Sequence, residues 1–246
     1  MEKIQDERPI LLRILRELDQ AQTVGPHRRE MWNRCWEEEE GMIPKYMIDS
    51  TVVRSEGAFW RAPGEEVKFL YRLRKELFDR HLVNIKDVYE FGCGLGQNLL
   101  PLKGSYHRLH GFDWSEAAVR RCNASGIEAY VFDMFDPHPV YLDGAVLTVH
   151  AMEQLGRHWE SFMEFLMIKR PKVCIHIEPL YELYNPDNLL DNLAMRYHEK
   201  RGYLTGLLPY LQRLALTGHV ELVEIHRTFF GNMFHEAYSV AVWKPV

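Results

Sequence analysis

Long hydrophobic runs are missing from this chain: none approaches the ~18 residues that span a bilayer. The opening MEKIQDERPI also lacks the apolar core of a secretory leader. A cytoplasmic protein with no membrane partner is therefore expected. Cysteine is scarce. Cys35, Cys93, Cys122 and Cys174 are widely scattered with no C-x-x-C pair, so free thiols are expected in place of a disulfide framework. Positive charge is not in excess either. Lys and Arg number 30 against 35 Asp and Glu, a net charge of -5, which argues against an extended phosphate-binding surface and a nucleic-acid partner. Repeats and low-complexity segments are absent. What is present is ordinary for a globular chain, 46% hydrophobic and 26% charged over 246 residues. That length holds one α/β domain with a full core and a modest appendage.

The chain is organised around Asp87 to Asp113, DVYEFGCGLGQNLLPLKGSYHRLHGFD. Val88 to Phe91 is an apolar run long enough only for a strand. Gly92-Cys93-Gly94-Leu95-Gly96 follows, and Gln97 to Leu102 reads as the first turns of a helix. Glycines between a strand and a helix let the backbone turn tightly and bring a ligand against main-chain N–H groups. Arg108 to Phe112 is a second strand, ending at Asp113. A carboxylate about 20 residues beyond a glycine loop is where doubly wound folds hold a ribose. The stretch predicts a βαβ unit with a nucleoside-sized hole at its C-terminal edge.

A dinucleotide fingerprint reads G-x-G-x-x-G; here the third glycine comes one residue early, and Glu90 precedes the loop. That acidic-x-Gly-x-Gly-x-Gly pattern resembles motif I of the class I S-adenosylmethionine (SAM) dependent methyltransferases. A sulfonium and an amino group favour nearby carboxylates, where a pyrophosphate would favour a helix N-terminus. The resemblance implies SAM as cofactor. It assigns Glu90, Gly92, Gly94, Gly96, Asp113, Trp114, Asp133 and Met134 to its binding. Asp113 would take the ribose hydroxyls and Asp133 the adenine amino group, with Met134 alongside the ring.

Further strands are expected at Ala129–Phe132, Asp143–Val149, Val173–Ile177, Gly218–Arg227 and Glu236–Trp243, and helices at Ser115–Asn123 and Glu160–Ile168. Five βα units followed by a β-hairpin resemble the class I layout. The implied fold is α/β, a three-layer Rossmann-like α/β/α sandwich. Its seven-stranded sheet has the order 3-2-1-4-5-7-6 with strand seven antiparallel. Residues 1–80 form a preceding segment, with helices at Pro9–Leu18, Arg28–Glu40 and Glu65–Phe78 around an irregular Gly41–Gly64. The resemblance implies a lid or substrate wall there; simple packing against the sheet is the alternative. Residues 81–246 form the SAM-binding domain, with a tyrosine-rich helical insertion at 180–216.

Ligands of open α/β sheets sit at the carboxyl ends of the strands. The implied order brings His150 and Glu178 together there, and the start of the backward-running last strand adds His235 and Glu236. His150 is preferred as general base, with His235 and Glu178 as further catalytic candidates. Glu153, Glu236, Trp60, Tyr181 and Tyr184 are the substrate candidates, since tyrosine's flat body and polar tip suit a polyhydroxylated ligand. His176, inside a strand, reads as a satisfied core histidine, and no ligand spacing calls for a metal. The stretches HAMEQ, HIEP and FHEAYSV resemble methyltransferases of bacterial surface-polysaccharide and sugar clusters. The expected function is methyl transfer from SAM to an oxygen or nitrogen of a small polar metabolite, a sugar or sugar-containing molecule first, by a monomer or homodimer. A protein methyltransferase and a non-catalytic SAM-binding interaction module are the alternatives. Intact Glu90, three glycines and Asp113 weigh against the module.

Overall fold

The computed structural model describes residues 1–38 and 51–246. Residues 39–40 of the second expected helix and 41–50 of the irregular stretch lie outside them. The N-terminal part contains β1 (Glu2–Lys3), α1 (Arg8–Gln20), α2 (Arg29–Glu38), β2 (Val52–Ser55), β3 (Ala58–Arg61) and α3 (Glu65–His81). Then come β4 (Asp87–Phe91), β5 (Arg108–Asp113), α4 (Glu116–Ala124), β6 (Glu128–Val131), β7 (Ala145–Val149), α5 (Glu160–Lys169) and β8 (Val173–Glu178). The chain ends with α6 (Leu189–Arg201), α7 (Leu207–Leu216), β9 (Val220–His226), β10 (Phe230–Asn232) and β11 (Ser239–Pro245). Among the described residues no helix is long and apolar enough to cross a membrane.

Seven strands form one sheet in the order β6-β5-β4-β7-β8-β11-β9. The first five are mutually parallel, and β11 is antiparallel to both of its neighbours. This is the expected order. Alternation along each strand sorts the core into two layers. Val88, Ile175 and Val242 pack with Leu77 of α3 and Cys122 of α4 on one face. Phe91, Cys174 and Trp243 pack with Phe162 of α5 and Leu211 of α7 on the other. Each large side chain so buried contributes about 1.5–3 kcal/mol. His176 sits in this core fully buried, as read from the sequence. Trp243 Nε1 donates to its Nε2 at 2.9 Å, so Nδ1 carries the hydrogen and donates to Thr148 Oγ1 at 2.9 Å. Three adjacent strands are tied by that one ring.

Two local expectations fail. Gln97 to Leu102 holds only a 3-10 turn at Leu100–Leu102. Pro101 lacks the N–H that a continuing helix needs, and Gly104 at φ 85 ends the segment. The irregular stretch instead contains the β2–β3 hairpin, in a second sheet of order β1-β3-β2-β10. Its turn, Glu56-Gly57, has positive φ at both residues, 49 and 75. That is the type I′ pattern usually written Asn-Gly or Asp-Gly, so a glutamate there hides the hairpin. β10 was equally invisible, being three residues long.

Charge is buried where this sheet meets the insertion. Arg54 of β2 donates to Leu190 O at 2.7 Å, bonds Asp191, and lies 3.1 Å from Glu236 Oε1. Arg227 donates to Asp191 Oδ1 at 2.6 Å and Glu236 Oε1 at 2.8 Å. Two arginines against two carboxylates leave no net charge, the condition under which such a cluster tolerates burial.

Candidate functional site

A cavity of about 720 Å³ opens at the carboxyl ends of β4, β5 and β7. Its floor is the glycine loop. Gly92 and Cys93 donate to Phe112 O at 2.7 and 3.0 Å, folding the loop back over β5. Both key glycines have positive φ, 73 at Gly92 and 51 at Gly94. A Cβ on Gly92 would lie 2.3 Å from the Ala151 Cβ, and one on Gly94 3.0 Å from the Trp36 indole. Asp113 locks the loop, taking Gly94 N–H on Oδ2 at 3.0 Å and Ser115 N–H on Oδ1 at 2.9 Å. Burial pushes its carboxyl up to about 6, against the pull of those two bonds. Ser115 caps α4 by accepting from Ala118 N–H.

Gly92, Gly94, Asp113, Trp114 and Met134 line the cavity; Glu90, Gly96 and Asp133 do not. Glu90 is fully buried beneath the loop, accepting from Asn98 Nδ2 at 2.5 Å, with Oε2 unpartnered. Burial raises its carboxyl well above the usual range, the Asn98 bond only partly offsetting it. Arg74 in turn holds Asn98 Oδ1 at 2.5 Å. Gly96 is needed for packing: a Cβ there would lie 2.8 Å from Cys122 Sγ and Ile127 Cδ1. Asp133 accepts from Phe135 N–H at 2.9 Å and pairs with Arg29 at 3.3 Å.

The opposite wall carries His150 and Glu153. His150 stands at φ 53, a left-handed conformation costly for a side chain of this size. Its Nδ1 faces Glu153 Oε2 at 3.3 Å, which makes Nδ1 the protonated nitrogen; Nε2 has no partner. Burial disfavours the charged ring, but Glu153, with Glu178 and Glu66 beyond it, outweighs that and holds the pKa above 6.5. Tyr238 meets the ring edge-on at 4.8 Å. Glu178 lies at the expected edge beside His150 but does not line the cavity. It accepts N–H bonds from Ala151 and Met152 at 3.0 Å and from Glu153 at 3.1 Å, and is fully buried. It shapes the turn bearing His150 and Glu153 from behind the cavity wall. Burial, and Glu153 after it, push its carboxyl up to about 7.

His235 lines the cavity and shares a 2.9 Å hydrogen bond with His198. Burial drives both down, His198 to about 4 and His235 well below its ordinary value, so both rings are neutral. Four substrate candidates lie elsewhere. Glu236 belongs to the arginine cluster. Tyr184 brackets the same residue, donating to Glu236 O at 3.0 Å and accepting from its N–H at 3.1 Å. Tyr181 donates to Glu199 at 2.7 Å near the surface, and Trp60 donates to Ser55 O at 3.1 Å. Each spends its polar atom on the fold.

The remaining walls come from residues sequence reasoning did not single out or named only in passing. α2 contributes Trp32 and Trp36, with ring centroids 6.2 Å apart. It is fastened to α4 by Ser115 Oγ donating to Asn33 Oδ1 at 2.8 Å and Arg121 donating to Trp36 O at 2.8 Å. Two tryptophans one helical turn apart in a charged helix were the available signal. Glu66 of α3, Tyr197 and Arg201 of α6, and Tyr203 complete the enclosure. Nothing in the local sequence marks Glu66.

No family model matches the chain, and no curated protein matches it in sequence. Its sheet order is nonetheless that of a known architecture: the chain has the fold of the class I SAM-dependent methyltransferases. Magnesium protoporphyrin IX methyltransferase (ChlM) from Synechocystis PCC 6803, solved with bound S-adenosylhomocysteine (SAH), superposes with a TM-score of 0.58. The match covers 90% of this chain and 96% of that one at 11% identity. The N-methyltransferase NodS from Bradyrhizobium japonicum WM9, in complex with SAH, gives 0.58 over 87% and 98% at 13% identity. The [4+2]-cyclase SpnF gives 0.58 over 92% and 99% at 11% identity.

Proposed function

We propose that the protein moves a methyl group from SAM to a hydroxyl of a small polar metabolite, acting in the cytoplasm as a monomer or homodimer. One observation carries the reading. The glycine loop with Asp113 and a histidine with an unpartnered Nε2 line the same cavity at the carboxyl edge of the sheet. The residues fit the cofactor: a side-chain-free cradle at Gly92 and Gly94, a carboxylate beside it, and Trp114 and Met134 on the flank. SAM supplies an electrophilic methyl and departs as the neutral thioether SAH. Asp113 accepts the ribose hydroxyls, and Glu90 supports the loop through Asn98. α2 closes the cofactor end as a lid, excluding water through Trp32 and Trp36.

The acceptor oxygen bonds the methyl carbon as the carbon–sulfur bond breaks, and its proton passes to His150 Nε2. Glu153 on Nδ1 fixes the tautomer that leaves Nε2 free and stabilises the imidazolium that forms. An amine arriving neutral needs no such pair, which favours oxygen over nitrogen. Calorimetry should show SAH binding in the micromolar range. Screening sugars, nucleotide-sugars and other small hydroxylated compounds should then give one added methyl with stoichiometric SAH. NAD binding without SAH binding would sink the reading. The same fold carries a cyclase in SpnF, so product formed without SAH would transfer the site to that kind of chemistry. Methylation confined to protein acceptors would make the substrate class wrong.

A further inference from the structure

At one end of the cavity two arginines have no carboxylate at ion-pair distance among the described residues. Arg28 and Arg201 line both the main cavity and a recess of about 220 Å³ that shares Arg28, Tyr197, Arg201 and Phe234 with it. Arg28 donates to Gln22 Oε1 at 2.6 Å and Met31 Sδ at 2.8 Å, both uncharged. The Arg201 guanidinium lies 5.0 Å from the Tyr203 ring centre. In each the Nε is buried with no partner, and among the described residues neither guanidinium meets a carboxylate at ion-pair distance. Arg54 and Arg227 have Asp191 and Glu236. Glu17, at the recess, lies 3.9 Å from Arg13, and Glu153 reaches Arg201 only through its field. Arg201 does sit in the last turn of α6, where a cation complements the helix dipole. Lys200 and His198 occupy the same turn, and the dipole says nothing about Arg28.

Both side chains are partly buried, and partly burying a guanidinium without an anion carries a cost that a bound oxyanion removes. The guanidinium fork matches carboxylate and phosphate oxygens in pairs. We infer that the methyl acceptor is itself an anion, a small hydroxylated molecule whose carboxylate or phosphate is held by Arg28 and Arg201. This rests on the methyl-transfer reading above, and it narrows the metabolites worth screening to hydroxylated acids and phosphates.

The probes are benzoate, phenyl phosphate and the neutral benzamide, titrated calorimetrically into the protein with and without SAH. Either anion should bind at least tenfold more tightly than benzamide, and the stronger of the two identifies the oxyanion. Arg28→Met and Arg201→Met should each weaken the preferred anion tenfold or more and leave SAH affinity unchanged. Arg201→Lys should recover part of the loss. Anions no tighter than benzamide on the wild-type protein overturn the inference, however the variants fold. A folded Arg201→Met variant with wild-type anion affinity overturns it too. Failure to bind SAH in these samples sinks the methyl-transfer reading, whereas SAH binding without anion preference sinks only this one.

Discussion

His150 and His176 lie on neighbouring segments of the sheet, one just past β7 and the other within β8, and differ in pairing, backbone and charge. His176, within β8, has both ring nitrogens hydrogen-bonded, regular backbone, and a pKa that burial lowers to about 3. His150, just past β7, has one nitrogen on Glu153, the other empty, a left-handed backbone and a pKa held up by its carboxylate neighbours. The first ring is finished as packing. The second is held in a strained, half-satisfied state that only a further partner completes. For these two rings, completeness of pairing separates the structural group from the chemical one where residue type does not. The arginines divide by ion pair: Arg54 and Arg227 face carboxylates, whereas among the described residues Arg28 and Arg201 do not.

The sharpest test of that contrast is His150→Ala. Turnover should fall by roughly 10²–10⁴-fold, the range for a lost proton acceptor, with SAH affinity nearly unchanged by calorimetry. Only the neutral ring accepts a proton. The acidic limb of the wild-type kcat profile should therefore lie above pH 6.5, following the raised pKa, and vanish in the variant. Unaltered turnover would place His150 with His176 as structure.

His176→Leu should behave in reverse. Thr148 and Trp243 lose their buried partner, costing about 2–4 kcal/mol by denaturant titration, while turnover of the folded fraction persists. The unfolded ring takes a proton near 6.5, whereas the folded one refuses it until about 3. Wild-type stability thus falls as pH drops below 6.5. Removing this ring should reduce that slope, leaving the part due to His198 and His235. A variant as stable as wild type would contradict the packing role.

The smallest effect concerns Asp113→Asn, in which SAH affinity should weaken about tenfold, roughly one charge-assisted hydrogen bond's worth. Ribose hydroxyls donate to the ionised carboxylate, so binding favours that form. Wild-type affinity should decline as pH falls through about 6, where the carboxyl takes its proton, and the Asn variant should not follow. An affinity flat from pH 5 to 8 in both proteins would remove Asp113 from the cofactor.

Strands long enough to alternate were legible in the sequence, and so was the sheet order, because motif and periodicity reinforce each other from β4 onward. The glycine loop and Asp113 follow from the same stretch, whereas the sequence brought His150 together with Glu178 and left Glu153 a substrate candidate. The contact between Glu153 and His150 Nδ1 is the structure's. Glu178 was found at the right edge, but its backbone partners were not foreseeable, since N–H bonds leave no trace in residue identity. Tyr184 and Glu236 failed for a related reason: a polar group near a site is consumed by whichever partner lies closer. The β2–β3–β10 sheet was hidden by a Glu-Gly turn and a three-residue strand. Trp32 and Trp36, which line the cavity, stood in plain view without a rule to assign them.

That hidden sheet has a consequence for how the protein comes into being. Ser55 pairs with Phe230 and Val53 with Asn232, so the β2–β3 hairpin finds its last neighbour only after every strand from β4 to β9 has been made. β11, which lies between β8 and β9 in the large sheet, emerges later still. A growing chain can build β4 to β8 early from near-neighbour contacts, but the β2–β10 closure spans most of the described chain and is slow to form. His235 reaches the cavity on the same late segment. The nascent protein thus carries a glycine loop long before it has a finished pocket.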